Sequence, residues 1–143
     1  MSLLSASAAL ALVLTTTPAI DDAPVRAVLD AQLAAWNRGD LDTFMQTYWK
    51  SPDLVFQSNA STTRGWQATL ERYRKRYLSE GKEMGQLRFD ELDVDVLAPG
   101  VAFARGAWHL RFRDGRTANG CFTLLLRERT EGWRIVYDHS SGE

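Results

Sequence analysis

Cysteine is nearly absent from this chain: Cys121 is the only one in 143 residues. No intrachain disulfide framework is therefore available, and the fold has to rest on a hydrophobic core, which a chain of this length can build. Set among apolar and small residues of a predicted strand, Cys121 is expected to be a buried small hydrophobe and not a reactive thiol. Histidine is almost as scarce. Two histidines, with no H-x-H and no C-x-x-C spacing, give no metal signal. There is no glycine-rich phosphate loop and no G-x-S-x-G elbow, so no cofactor is expected either. Excess charge is missing too. Seventeen basic and 18 acidic residues leave a net charge of −1, so no long-range field gathers nucleic acid or an anionic membrane. The local basic clusters, Arg72, Arg74, Lys75 and Arg76, then Arg111, Arg113 and Arg116, read as solvated faces.

Long hydrophobic runs are lacking as well. The one uncharged apolar stretch, Leu3 to Leu14, falls short of the roughly 20 residues a membrane-spanning helix needs. It is followed by small residues, Thr17 and Ala19 flanking Pro18, and then by Asp21 and Asp22. Residues 1–19 therefore read as a signal peptide cut near Ala19, which predicts export to the periplasm or the medium. Met1-Ser2 carries no Lys or Arg. The opposing reading, an N-terminal helix packed on a cytoplasmic domain, stays open.

What is present is aromatic. Five tryptophans, each able to bury roughly 150–250 Å², suffice to dominate a core or line an apolar cavity. From Ala23 the pattern is helical, with Val25, Val28, Leu29, Gln32, Leu33 and Trp36 at steps of three and four. Asp22 is placed to cap the start, and Asn37-Arg38-Gly39 to end it. Asp40 then caps a shorter helix carrying Leu41, Phe44, Met45, Tyr48 and Trp49. Pro52 breaks it. Leu54 to Ser58 reads as a short strand, Asn59 to Thr63 as a polar loop, and Trp66 to about Leu78 as a third helix with Arg72, Lys75 and Arg76 outward. Four long strands follow, over Leu87–Leu97, Val101–Arg113, Thr117–Arg129 and Trp133–His139, with Asp114-Gly115 the strongest hairpin signal.

This order resembles the nuclear transport factor 2-like superfamily, which includes SnoaL-like, ketosteroid-isomerase-like and calcium/calmodulin-dependent kinase association domains. Three motifs carry the resemblance: AWNRGDLDTF at 35–44, RGWQATLERY at 64–73 and EGWRIVYDHSS at 131–141. It implies one α+β domain over residues 23–141, a cone-shaped curved antiparallel sheet wrapped around three N-terminal helices. It also implies an apolar pocket and a homodimer through the outer sheet face. Trp108, Leu110, Phe112, Leu125, Ile135 and Tyr137 are assigned to that outer face because they are too apolar to stand in water.

The candidate ligand-binding residues are Trp36, Trp49 and Trp66 from the helices, Phe56 from the first strand, and Arg105. Arg105 sits in the apolar stretch VAFARGAW, where a buried charge needs a partner or a cavity, and the kinase association domains carry a pocket arginine in a similar context. Two further arginines of that pocket fall on Leu124 and Ser140. The candidate acid–base groups are Asp138, His109 and Tyr48. Asp138 and His139 are neighbours on a strand and point to opposite faces; inward Asp138 is expected to pair with Arg105 or act as a base. Three function classes follow: a pocket that binds a small, largely apolar molecule, an isomerase, cyclase or dehydratase using these groups, and a dimeric assembly module with a filled pocket.

Overall fold

The computed structural model describes residues 20–142. The leader reading falls on residues 1–19, outside the described residues. Among those described, no helix is long and apolar enough to cross a membrane.

Helix α1 spans Ala23–Asn37 and buries Val25, Leu29, Gln32, Ala35 and Trp36, the stripe that its periodicity announces. Its start differs in detail from the expected cap. The Asp22 side chain takes the Arg26 guanidinium, 2.7 Å away, and Asp21 Oδ1 accepts from the Ala23 amide instead. Helix α2 is a single short turn, Leu41–Met45, and there Asp40 does cap, accepting from the Thr43 amide at 3.0 Å. Between the two helices Gly39 turns the chain at φ 78°, a conformation cheap only for glycine. The corner is also a clamp. The Asn37 side-chain amide donates to Leu87 O at 2.9 Å and accepts from Leu87 N at 2.6 Å, imitating a strand's backbone edge.

Strand β1 (Val55–Ser58) turns back into β2 (Ser61–Arg64), so the expected polar loop is a hairpin. Helix α3 (Trp66–Tyr77) follows, then β3 (Gln86–Ala98), β4 (Val101–Arg111), β5 (Thr117–Arg129) and β6 (Gly132–Gly142). They form one curved, unclosed six-stranded sheet in the order β2-β1-β6-β5-β4-β3. Neighbours are antiparallel except β1 and β6, which run parallel with Phe56 opposite Asp138. The α+β expectation, helices against a curved sheet, describes the molecule.

Of the three register shifts in the sheet, two decide which face the residues around the cavity occupy. In β3 the register slips between Asp90 and Asp93, around Glu91 at φ 53°. The extra residue switches the alternation, so Phe89 and Leu92 both pack against the core. In β6 the register slips opposite Leu125 and Leu126, making Val136 the extra residue. Ile135 is fully buried as a result, while Tyr137 turns to the outer face and Asp138 returns inward.

In β4 the inward set is Ala102, Ala104, Gly106, Trp108 and Leu110. The assignment of Trp108, Leu110 and Ile135 to the outer face is thus corrected, and Phe112 also packs on the core. Small inward residues make room for rings from elsewhere. A Cβ on Gly106 would stand 2.9 Å from the Phe122 ring and 3.0 Å from Asp90 O. Cys121, expected in the interior, is exposed on the outer face of β5.

Candidate functional site

The helices do not fill the concave side of the sheet. A cavity of about 190 Å³ remains, walled by Trp36, Phe44 and Tyr48 from the helical corner and by Tyr73 and Tyr77 from α3. Phe56, Leu110, Phe122 and Leu124 close it from the sheet. The rings hold one another at an angle: Trp36 meets Phe44 and Tyr77 edge-on, with centroids 5.0 and 4.8 Å apart, a favoured arrangement for aromatic pairs. Trp36 is anchored by its indole N–H, which donates to Met84 O at 3.1 Å.

Into this apolar space β6 projects Asp138, the only buried carboxyl among the described residues. The segment after α2 brings its partner. Trp49 N donates to Ile135 O and Ile135 N to Thr47 O, which lays the chain beside β6 and aims Tyr48 at the same spot. The Tyr48 hydroxyl donates to Asp138 Oδ2 at 2.6 Å, and Ser140 Oγ donates to Oδ1 at 2.7 Å. Among the described residues no cation touches the carboxylate. Burial therefore dominates and pushes the Asp138 carboxyl up to about 6, although both hydroxyl donors pull the other way. Burial, with the Asp138 charge second, raises the Tyr48 and Tyr73 hydroxyls well above their ordinary range. The tyrosines remain neutral donors, and Asp138 is the group that changes charge near neutrality.

The structure brings Asp138, Tyr48, Trp36 and Phe56 together and sends the other candidates elsewhere. Arg105 stands on the outer face with 64% of its side chain exposed, paired with Asp93 at 2.7 Å. The expected Arg105–Asp138 pair does not form, because the two residues lie on opposite sides of the sheet. His109, of the same parity, meets Asp90 at 3.1 Å on that outer face. Trp49 lies beneath the Arg129 guanidinium, 4.4 Å from its ring centre, and Trp66 ties α3 to the end of α2 through Met45 O. Neither tryptophan lines the cavity.

Sequence reasoning passed over Tyr73, Tyr77 and Ser140 as site residues, although the α3 periodicity marks both tyrosines as inward. It also placed Arg72 and Arg76 outward, whereas both line the cavity at its mouth. They sit beside Tyr73 and Tyr77, four residues apart on one helix face. Among the described residues no group of three or more His, Cys, Asp or Glu side chains comes together.

Residues 25–142 match the family model of the SnoaL-like domain. A nuclear transport factor 2-like protein of unknown function from Shewanella oneidensis is 37% identical, with a TM-score of 0.76, over 83% of this chain and 97% of that one. A nuclear transport factor 2-like superfamily protein from Salmonella enterica (23% identity, TM-score 0.71, 85% and 89% covered) has the same fold. So does a protein with a cystatin-like fold from Caulobacter vibrioides (22%, 0.64, 85% and 88%). No curated protein matches significantly. Fold order, concave cavity and sequence match agree: the chain belongs to the SnoaL-like family of the nuclear transport factor 2-like superfamily.

Proposed function

We propose that this domain binds one small, largely apolar molecule in the concave cavity and presents Asp138 and Tyr48 to a polar atom of that molecule. The observation that carries the reading is the pairing of an unfilled aromatic cavity with a buried carboxyl that has no cationic partner among the described residues. An assembly module with a filled pocket would have no such space.

A second reading, acid–base turnover of the isomerase, cyclase or dehydratase type, is favoured by the position of the Asp138 carboxyl near 6. At that value both protonation states are accessible at neutral pH, and a carboxyl so placed takes up or returns a proton with little driving-force penalty. Tyr48 would hold it in place as the charge changes. Two measurements separate these readings. Filling the cavity with Leu124→Trp should abolish calorimetric binding of an apolar probe such as a cyclohexenone; retained affinity would place binding elsewhere. Deuterium uptake next to the carbonyl of that probe should require Asp138, so undiminished exchange in Asp138→Asn would remove the catalytic reading and leave the binding one.

A homodimer through the outer sheet face belongs to the same proposal. Val55, Tyr137, Leu125 and Phe103 are consecutive cross-strand partners over four strands and form an apolar row beside the Arg105–Asp93 pair. Leu125→Asp should yield a monomer in light scattering, and a wild-type monomer at micromolar concentration would overturn it. Export rests on the apolar leader alone; the mass of the protein recovered from a periplasmic fraction tests it.

A further inference from the structure

The polar groups of the cavity form two sets. Asp138, Tyr48 and Ser140 form the deep one, closed upon itself by the two hydroxyl donors. The other is at the mouth, where α3 sets Arg72 and Arg76 on the lining. Arg72 is held in place without being neutralised. Its Nη1 donates to Ser61 Oγ at 3.1 Å and to Thr63 Oγ1 at 3.3 Å, and its guanidinium lies 5.4 Å from the Phe56 ring centre. Arg76 donates through Nε to the Tyr77 hydroxyl at 3.2 Å and lies 5.6 Å from that ring.

All of these partners are neutral. Among the described residues neither guanidinium forms an ion pair with a carboxylate, while on the same helix Arg74 takes Asp42 at 2.9 Å. Nη2 and Nε of Arg72, and both Nη atoms of Arg76, keep N–H donors without an acceptor among the described residues. Two oriented, uncompensated forks thus stand where an apolar cavity opens. A guanidinium fork fits a planar carboxylate by paired N–H···O bonds, and an apolar body attached to that carboxylate gains from the rings inside.

We infer that the ligand class is a small hydrophobic carboxylic acid, seated with its apolar end among the rings and its carboxylate between Arg72 and Arg76. The inference rests on the pocket reading above and adds the ligand's polarity and direction. Inorganic phosphate lacks the apolar body and should not compete.

The test uses ω-phenylalkanoates with two to five methylenes, each compared with its neutral primary amide, by calorimetry at pH 8. The wild-type protein should bind the best acid at least tenfold more tightly than its amide. That preference should shrink as salt rises, since the mouth is open to solvent. Arg76→Gln, which leaves the β2 contacts of Arg72 untouched, should cut the preference several-fold, and Arg72→Gln/Arg76→Gln should erase it while amide affinity changes less than twofold. Equal binding of acid and amide, a preference that survives the double substitution, or displacement by phosphate at constant ionic strength would each overturn the inference and leave the pocket standing. Failure of every acid and every amide to bind would remove the pocket reading and this one together.

Discussion

The two faces of one sheet treat the same side chains in opposite ways. On the outer face the candidate groups Arg105 and His109 are each held by a solvent-exposed carboxylate. Asp93 holds Arg105, while Asp90 takes both Arg88 at 2.8 Å and His109 at 3.1 Å. The Asp90 carboxyl is held below its ordinary value by the Arg88 hydrogen bonds. On the inner face Asp138 has, among the described residues, two hydroxyl partners and no cation, and its carboxyl rises. Residue type is the same; solvent and partner differ. A carboxylate becomes useful for proton chemistry where burial works against its charge, and an exposed ion pair supplies neither burial nor a free acceptor.

This contrast is easiest to break at the aromatic wall. Trp36→Ala should cost about 3–5 kcal/mol in urea unfolding, the usual range for deleting a buried tryptophan, because three rings lean on it. A loss below about 1 kcal/mol would mean that the wall collapses to fill the gap, and that the cavity is not rigid.

Next comes the pH dependence. The Asp138 carboxyl is raised from 3.8 to about 6 in the folded state, so the native protein holds its proton more tightly than the unfolded chain does. Stability from this group is full below about pH 4 and is lost as pH rises through about 6. The loss is about 3 kcal/mol, taking about two pH units at 1.36 kcal/mol each. Asp138→Asn should flatten the stability profile between pH 4 and 6 and be at least as stable as wild type at pH 7. An unchanged profile would place the ionised carboxylate in a better-solvated site than its burial indicates.

Tyr48→Phe sharpens the same point. It removes the 2.6 Å bond to Asp138, which holds the carboxyl down, so the Asp138 titration followed by carboxyl ¹³C NMR should move upward from about 6. The cost should be about 1–2 kcal/mol at neutral pH, and a downward shift would contradict the assigned contact. The smallest effect belongs to the outer face. Arg105→Ala should change stability by less than about 1 kcal/mol and leave ligand affinity untouched; a tenfold loss of affinity would return Arg105 to the site and undo the distinction between the faces.

How far the sequence could be read differs along the chain. Helices α1 and α3 were visible because a 3.6-residue period over a dozen residues leaves little choice of buried face. The long hairpins were visible from their turn residues. The faces of β4 were not. Its stretch VAFARGAWHL is apolar in both parities, and the inward set includes the smallest residues, so hydrophobicity favours neither side. Tyr137 and Ile135 are two apart and would share a face in a regular strand; the Val136 bulge separates them, and nothing local announces it. Asp138 was placed inward correctly, but its partners were not. Arg105 was chosen for its apolar neighbours in sequence, whereas Tyr48 reaches Asp138 only because the chain after α2 runs along β6.

By itself, then, the sequence determined the order of elements apart from β2, the aromatic character of the interior and the want of metal-binding or phosphate-loop patterns. Periodicity, turn chemistry and composition are local properties that survive without a partner. Only the tertiary structure decided that the cavity stays open, that Asp138 meets Tyr48 and not Arg105, and that Arg72 and Arg76 border the opening. Those outcomes depend on strand register and bulges, where a shift of one residue exchanges the two faces of a sheet.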